Sequence, residues 1–327
     1  MGMGQLIDGK WIDEEAKERL SADGSYKRFN STIRNWVTDD GSPGPSGVGG
    51  FQAETGRYHL YISLSCPFAH RTAIMRRLKK LEDVVSISIA ARRTLQSWVF
   101  DNKVEEFCDS VLGSDYLHQV YTASDPYFTG RVTVPVLWDK KQDIIVSTES
   151  SEIIRMFNSA FNTITTDRTD YYPEELRREI NALNDIVHKN VNAGVYMAGF
   201  AGTQDVYDKA FDALFATLEM LDERLDMKRY LVGEKITEAD WRLFTTLVRF
   251  DVAYHSAFKC NKFRLVDYKN LWPYTRELYQ ISGVSETVDL DACKAGYYTE
   301  SPMTNPSNII PKGPTVDFSE PHHRDTY

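Results

Sequence analysis

The sequence predicts an α/β domain followed by an all-helical one, and two observations carry that reading. Between residues 56 and 165 the apolar runs and their breakers spell strand–helix–strand and then strand–strand–helix, the order of a small mixed sheet with helices. From about residue 170 the apolar period changes to the roughly 3.6 residues of a helix. The length of 327 residues agrees, because at about 150 residues per domain it holds two cores.

Residues 1–55 read as a polar N-terminal extension, with Gly41-Ser42-Pro43-Gly44-Pro45-Ser46-Gly47 as loop. Tyr58-His59-Leu60-Tyr61-Ile62-Ser63 is a β-favouring run. Cys66-Pro67 then opens a helix reaching about residue 81. Proline in its first turn and Arg76, Arg77, Lys79 and Lys80 near its end suit helix geometry and dipole. Val84–Ile89 is a second strand, and the simplest packing of the unit is a parallel pair with a right-handed crossover. A polar and aromatic insertion spans 91–130. Val132–Trp138 and Ile144–Val146 follow as a hairpin around Asp139–Asp143, and Glu149–Phe157 as a helix with an acidic first turn. The helical domain is expected over 166–298, where Ala210, Leu214, Leu218 and Leu221 mark one helix face. Thr237 and Asp240 there form a capping-box variant. A polar, proline-containing tail, 299–327, wraps the surface or frays.

Composition narrows the function. Hydrophobic residues at 42% with charged residues at 26% place the chain among folded globular proteins rather than disordered ones. A net charge of 38 − 47 = −9 opposes nucleic acid or an anionic membrane as the default partner. No apolar run approaches the roughly 18–20 residues of a membrane span, and the N-terminus lacks a signal or myristoylation pattern, so a cytoplasmic location is expected. Cys66, Cys108, Cys260 and Cys293 are far apart with no C-x-x-C, which indicates neither a disulfide framework nor a thiolate metal site. Metal-ligand spacings and Gly-rich phosphate loops are also missing, so no metal and no tightly bound cofactor are expected.

Cys66 is the first candidate for chemistry. At a helix start after a strand, free amides and the positive dipole end favour thiolate over thiol. A buried structural cysteine is the competing reading from position alone. Ala69 occupies the place of a second, resolving cysteine, so a mixed disulfide on Cys66 needs an external thiol. Val134-Pro135 interrupts a strand-like run. A cis peptide at a sheet edge resolves that conflict and would expose Val134 backbone to an extended peptide ligand, whereas a trans edge proline is the plainer alternative. Glu149-Ser150 opens a helix, a site for a zwitterionic head group or simply a cap. His70, four residues after Cys66, reads as structural rather than catalytic.

These segments resemble the xi-class glutathione transferases, the S-glutathionyl-hydroquinone reductases of the omega-like group. The resemblance is carried in order by Ser65-Cys66-Pro67-Phe68-Ala69-His70-Arg71, Arg131–Asp139, Glu149–Ile154, Gly194–Phe200 and Leu231–Phe250, and it covers about 55–298. It implies a thioredoxin-like domain, an all-helical glutathione transferase domain and a homodimer. Glutathione would be the cosubstrate and aromatic quinone or hydroquinone conjugates the other substrates. Residue by residue, it makes Cys66 the nucleophile and Tyr196 the proton donor, with Tyr254 and Tyr297 lining the ring pocket. Tyr298 leaves the register of Tyr297 open by one. Trp98, Arg131, Val132, Thr133, Val134, Pro135, Glu149 and Ser150 match glutathione-binding positions. Three departures bear on substrate preference more than on reaction type. Ser97 stands where the pattern has glycine before the tryptophan, Ser147-Thr148 replaces an Asn-rich pair, and a Ser-His continuation after Tyr298 is missing. An omega-type thiol transferase or dehydroascorbate reductase, and a noncatalytic aromatic-ligand carrier, are the alternatives.

Overall fold

The computed structural model describes residues 4–13, 20–27, 29–299 and 303–325, so parts of the expected extension and tail (1–3, 14–19, 28, 300–302, 326–327) lie outside the described residues. The chain divides into two units, Met1–Ala16 with Arg28–Asp170, and Lys17–Lys27 with Tyr171–Tyr327.

The first unit contains β1 (Gln5–Ile7), β2 (Lys10–Ile12), β3 (Tyr58–Ile62), α1 (Pro67–Leu78), β4 (Val85–Ile89), β5 (Arg92–Thr94) and β6 (Ser97–Val99). It continues with α2 (Leu117–Ser124), β7 (Gly130–Arg131), β8 (Val136–Asp139), β9 (Ile144–Ser147) and α3 (Ser150–Ser159). The main sheet has the order β4-β3-β8-β9, with β3 and β4 parallel and β8 and β9 antiparallel to their neighbours. All five residues of β3 are buried, as befits a strand covered on both faces, and α1 packs beside α3. Buried Arg57, just before β3, clamps Asp139 at the end of β8 through Nε at 3.0 Å and Nη2 at 2.5 Å.

The expected strand from Val132 begins instead at Val136. Pro135 has no N–H to give a ladder, so the regular pairing starts one residue later. The stretch read as a loop-like extension supplies β1 and β2, and these join β7 in a second sheet of order β2-β1-β7. The insertion is likewise ordered around α2 and the β5–β6 hairpin. Ser97, which opens β6, is 1% exposed and has φ +102°, in the half of backbone space that favours glycine.

The second unit is helical: α4 (Arg177–Val187), α5 (Gly194–Gly199), α6 (Gln204–Met227), α7 (Glu238–Leu247), α8 (His255–Ala257), α9 (Leu271–Tyr279) and α10 (Leu290–Thr299). Two π-helical turns, His188–Asn192 and Phe250–Tyr254, interrupt the α-helical run. Asp240 reaches back across the start of α7 to accept from Thr237 N at 2.7 Å and Thr237 Oγ1 at 3.0 Å. It also accepts from Leu231 N and Tyr274 OH, so this fully buried carboxylate is surrounded by donors. The described part of the tail packs on the helical unit. Arg324, 2% exposed, donates through Nε to Glu277 Oε2 at 2.8 Å, and Phe318 packs against Trp272 and Tyr279. No helix among the described residues is long and apolar enough to cross a membrane.

Ser97 yields a stability prediction. A left-handed backbone at a non-glycine residue costs about 1–3 kcal/mol, against about 0.5–1 kcal/mol for the freedom glycine loses on folding. The Ser97 Oγ is buried without a hydrogen-bond partner, so its removal forfeits nothing. Ser97→Gly is therefore expected to stabilise the protein by about 1 kcal/mol, read as a higher denaturant midpoint at constant slope. An unchanged or lower midpoint contradicts the strain.

Candidate functional site

In the first unit the chain turns from β3 into α1 so that Cys66 becomes the N-cap of α1, with Pro67 at the first helical position. Its sulfur accepts from Ala69 N at 3.5 Å and lies 3.7 Å from the Val134 carbonyl, to which the thiol donates. The cysteine is half-buried. Helix start and proline-containing segment therefore converge on one sulfur atom, and the Val134–Pro135 peptide is cis. His70 and Arg71, on the same helix, are both buried at 2% exposure. The other cysteines lie elsewhere: Cys260 and Cys293 are buried, and burial pushes the Cys260 thiol well above its ordinary range.

Glu149 caps α3, its Oε1 accepting from Ser151 N at 3.0 Å and Ser151 Oγ at 2.7 Å. Burial raises its pKa, but the two Ser151 bonds and the nearby Arg71 and Arg34 charges outweigh that and leave it below the usual glutamate value. Glu149 is thus an anion at neutral pH, and both bonds fall on one oxygen. Ser150 is buried, with Arg71 Nη1 at 3.5 Å from its hydroxyl. The structure accordingly realises the cap.

Three further expected residues border this region in sequence. Arg131, in β7, holds its guanidinium 4.5 Å over the Phe29 ring. Trp98, in β6, is 6% exposed under the Arg93 guanidinium. Thr133 is exposed, yet its backbone is pinned: Tyr121 OH donates to Thr133 O at 2.9 Å and accepts from Thr133 N at 3.1 Å. Tyr121 is a residue that sequence reasoning missed. It lies inside the insertion, and nothing in the local pattern links it to Thr133.

The second unit gathers the three expected tyrosines. Tyr297 OH is 2.6 Å from Tyr196 OH and 2.9 Å from Tyr254 OH, so it joins the other two. Of the adjacent pair Tyr297 and Tyr298, it is the Tyr297 hydroxyl that joins the cluster. Tyr196 comes from α5, Tyr254 from the end of a π-helical turn and Tyr297 from α10. Phe258 packs against all three rings, and any β-carbon on Gly199 would overlap it, so glycine there is a requirement of packing. Burial pushes Tyr254 above the ordinary tyrosine range, against the pull of the Arg249 charge. Burial also drives Tyr297 well up, aided by its phenolic neighbours. Both remain neutral donors at physiological pH, and Tyr196 is the more exposed member of the three. Arg249, 1% exposed, was also missed, although an arginine within the apolar stretch Leu243–Val252 is a signal.

Residues 65–160 match the family model of the glutathione S-transferase N-terminal domain, and residues 204–277 that of the C-terminal domain. The chain is 49% identical over 325 residues to the glutathionyl-hydroquinone reductase YqjG of Escherichia coli K12, covering 99% of each. The glutathione-bound structure of that protein superposes with a TM-score of 0.91 at 47% identity, over 98% of this chain and 99% of the other. The xi-class glutathione transferase of Natrialba magadii gives a TM-score of 0.90 at 43% identity, over 99% and 97% of the two chains. The chain belongs to the glutathione transferase family, within its xi class of glutathionyl-hydroquinone reductases, and is an enzyme.

Proposed function

We propose that the protein reductively deglutathionylates S-glutathionyl-hydroquinones, using glutathione as cosubstrate and Cys66 as nucleophile. The observation that carries the reading is the Cys66 sulfur at the start of α1, 3.5 Å from Ala69 N and 3.7 Å from the Val134 carbonyl. A helix start favours the thiolate, and the adjoining Val134 backbone suits the peptide part of glutathione. The Glu149 carboxylate and the α3 amides suit the ammonium and carboxylate of its γ-glutamyl head. Arg131, Val132, Pro135, Ser150 and Trp98 complete the glutathione contacts in this reading.

The Cys66 thiolate attacks the sulfur of the conjugate. A Cys66–glutathione disulfide forms and the aromatic carbon–sulfur bond breaks, leaving its electron pair on the ring carbon of the keto tautomer. Tyr196 supplies the proton for that carbon; its phenolate is held by the hydrogen bond from Tyr297, itself bonded to Tyr254, until solvent returns the proton. A second glutathione, as thiolate, then attacks the mixed disulfide, forming oxidised glutathione and returning Cys66 as thiolate. The conjugate is reduced to hydroquinone, and its glutathionyl sulfur and the thiol of one free glutathione become the disulfide. Class membership also supports a homodimer, which sedimentation would read as twice the chain mass; a monomer at catalytic concentrations contradicts that assignment.

Cys66→Ser is expected to lower turnover by about a thousandfold or more, the scale of losing a nucleophile, while leaving glutathione binding largely intact. Retained reduction of glutathionyl-menadione by that variant would remove Cys66 from the mechanism. A panel of glutathionyl-menadione, hydroxyethyl disulfide and dehydroascorbate separates this activity from an omega-type thiol transferase, and inactivity on all three indicates a carrier. Tyr196→Phe is expected to lower kcat on glutathionyl-menadione by about a hundredfold or more, the range of a lost general acid. The same variant should spare hydroxyethyl disulfide, whose reduction protonates no carbon. Equal losses on both substrates contradict the proton-donor role.

A further inference from the structure

We infer that the N-terminal β1–β2 hairpin is a positioning element for glutathione binding, with Trp11 as its principal residue. The inference rests on the glutathione contacts proposed above, because the hairpin touches the Trp98 turn, the Arg131 strand and the helix that holds Thr133. Trp11 Nε1 donates to the carbonyl of Leu95 at 3.0 Å, and Leu95 lies in the turn between β5 and β6, three residues before Trp98. The Trp11 ring stacks on His118 of α2, with centroids 5.2 Å apart and planes 21° from parallel. The same helix carries Tyr121, which holds the backbone of Thr133. β1 itself pairs with β7, setting Gln5 opposite Arg131, and Asp8 N donates to Thr129 Oγ1 at 2.9 Å. One short hairpin thus ties together the Trp98 turn, the Arg131 strand and the helix behind Thr133.

Two details make this more than surface decoration. The turn it grips ends in Ser97, whose φ of +102° is held only if the surroundings over-determine it. Leu95 is 62% exposed, so its side chain gives the turn little anchorage and the Trp11 bond to its carbonyl is a principal tether. The hairpin is also shaped for the indole, since any side chain on Gly4 would overlap the Trp11 ring. Trp11 touches no reacting group in the proposed mechanism. Its effect should therefore fall on glutathione affinity and leave the chemical step alone.

The test uses the full-length protein. Trp11→Phe keeps a ring on His118 but removes the indole N–H, and is expected to raise the Kd for glutathione, by titration calorimetry, about fivefold, the value of one hydrogen bond. KM for glutathione should rise in parallel while kcat on glutathionyl-menadione stays within about twofold, the pattern of lost ground-state binding. Trp98→Ala is the control on the underlying reading and should weaken glutathione binding at least as much. If Trp98→Ala weakens binding and Trp11→Phe does not, the positioning role is wrong and the site stands. If Trp98→Ala has no effect, the site reading fails and this inference with it. A fall in kcat and thermal midpoint with unchanged glutathione Kd makes Trp11 merely structural and overturns the proposal. Should Trp11→Phe not fold, Thr129→Val decides: it removes the exposed acceptor of Asp8 N, and weaker glutathione binding supports the positioning role while unchanged binding overturns it.

Discussion

The amide-rich start of α1, turned onto the sulfur of Cys66, is the interaction from which the chemistry follows. The other cysteines sit differently: Cys260 and Cys293 are buried, burial of Cys260 opposes its ionisation, and half-buried Cys108 ends a short turn with its thiol donating to the Glu105 carbonyl at 3.2 Å. At Cys66 a half-buried sulfur meets an N–H and the open end of a helix, an environment that favours thiolate over thiol. The rest of the first unit fixes the position of that sulfur. β3 delivers the chain to the helix start, and the Val134 carbonyl on the following connection fixes the other side. Arg57 and Asp139 lock the strands that carry both.

The tyrosine cluster of the second unit is governed by the opposite effect. Desolvation keeps Tyr254 and Tyr297 protonated, so they hold protons instead of surrendering them to solvent. Their hydroxyls form a chain of 2.9 and 2.6 Å ending at Tyr196, the member least enclosed by protein. The first unit thus favours an anion at Cys66, and the second keeps its buried phenols neutral.

What was legible in the sequence was chemistry confined to a few consecutive residues. Cys66-Pro67 announces a helix start because proline and an N-cap acceptor act within one turn, and Thr237 with Asp240 announces another for the same reason. Pro135 was legible as a conflict, since a residue without N–H cannot lie inside a ladder, and the strand indeed begins after it. The three tyrosines came from resemblance; periodicity alone marks them as core. Contacts that span the chain left no local trace. Trp11 meets Leu95 across 84 positions, and Tyr121 reaches Thr133 out of an irregular insertion. β1 and β2 are three residues each, too short for alternation to stand out among glycines and charges. The backbone cost of Ser97 was visible only as a residue type out of place, and φ supplies its reason.

The central claim is that Cys66 carries glutathione covalently between the two substrates. Intact-protein and peptide mass spectrometry after mixing the enzyme with glutathionyl-menadione, in the absence of free glutathione, tests it directly. The account predicts one glutathionyl group per chain, mapped to Cys66 and discharged as oxidised glutathione when glutathione is added. Release of hydroquinone with no adduct, or an adduct confined to Cys108, Cys260 or Cys293, would contradict it.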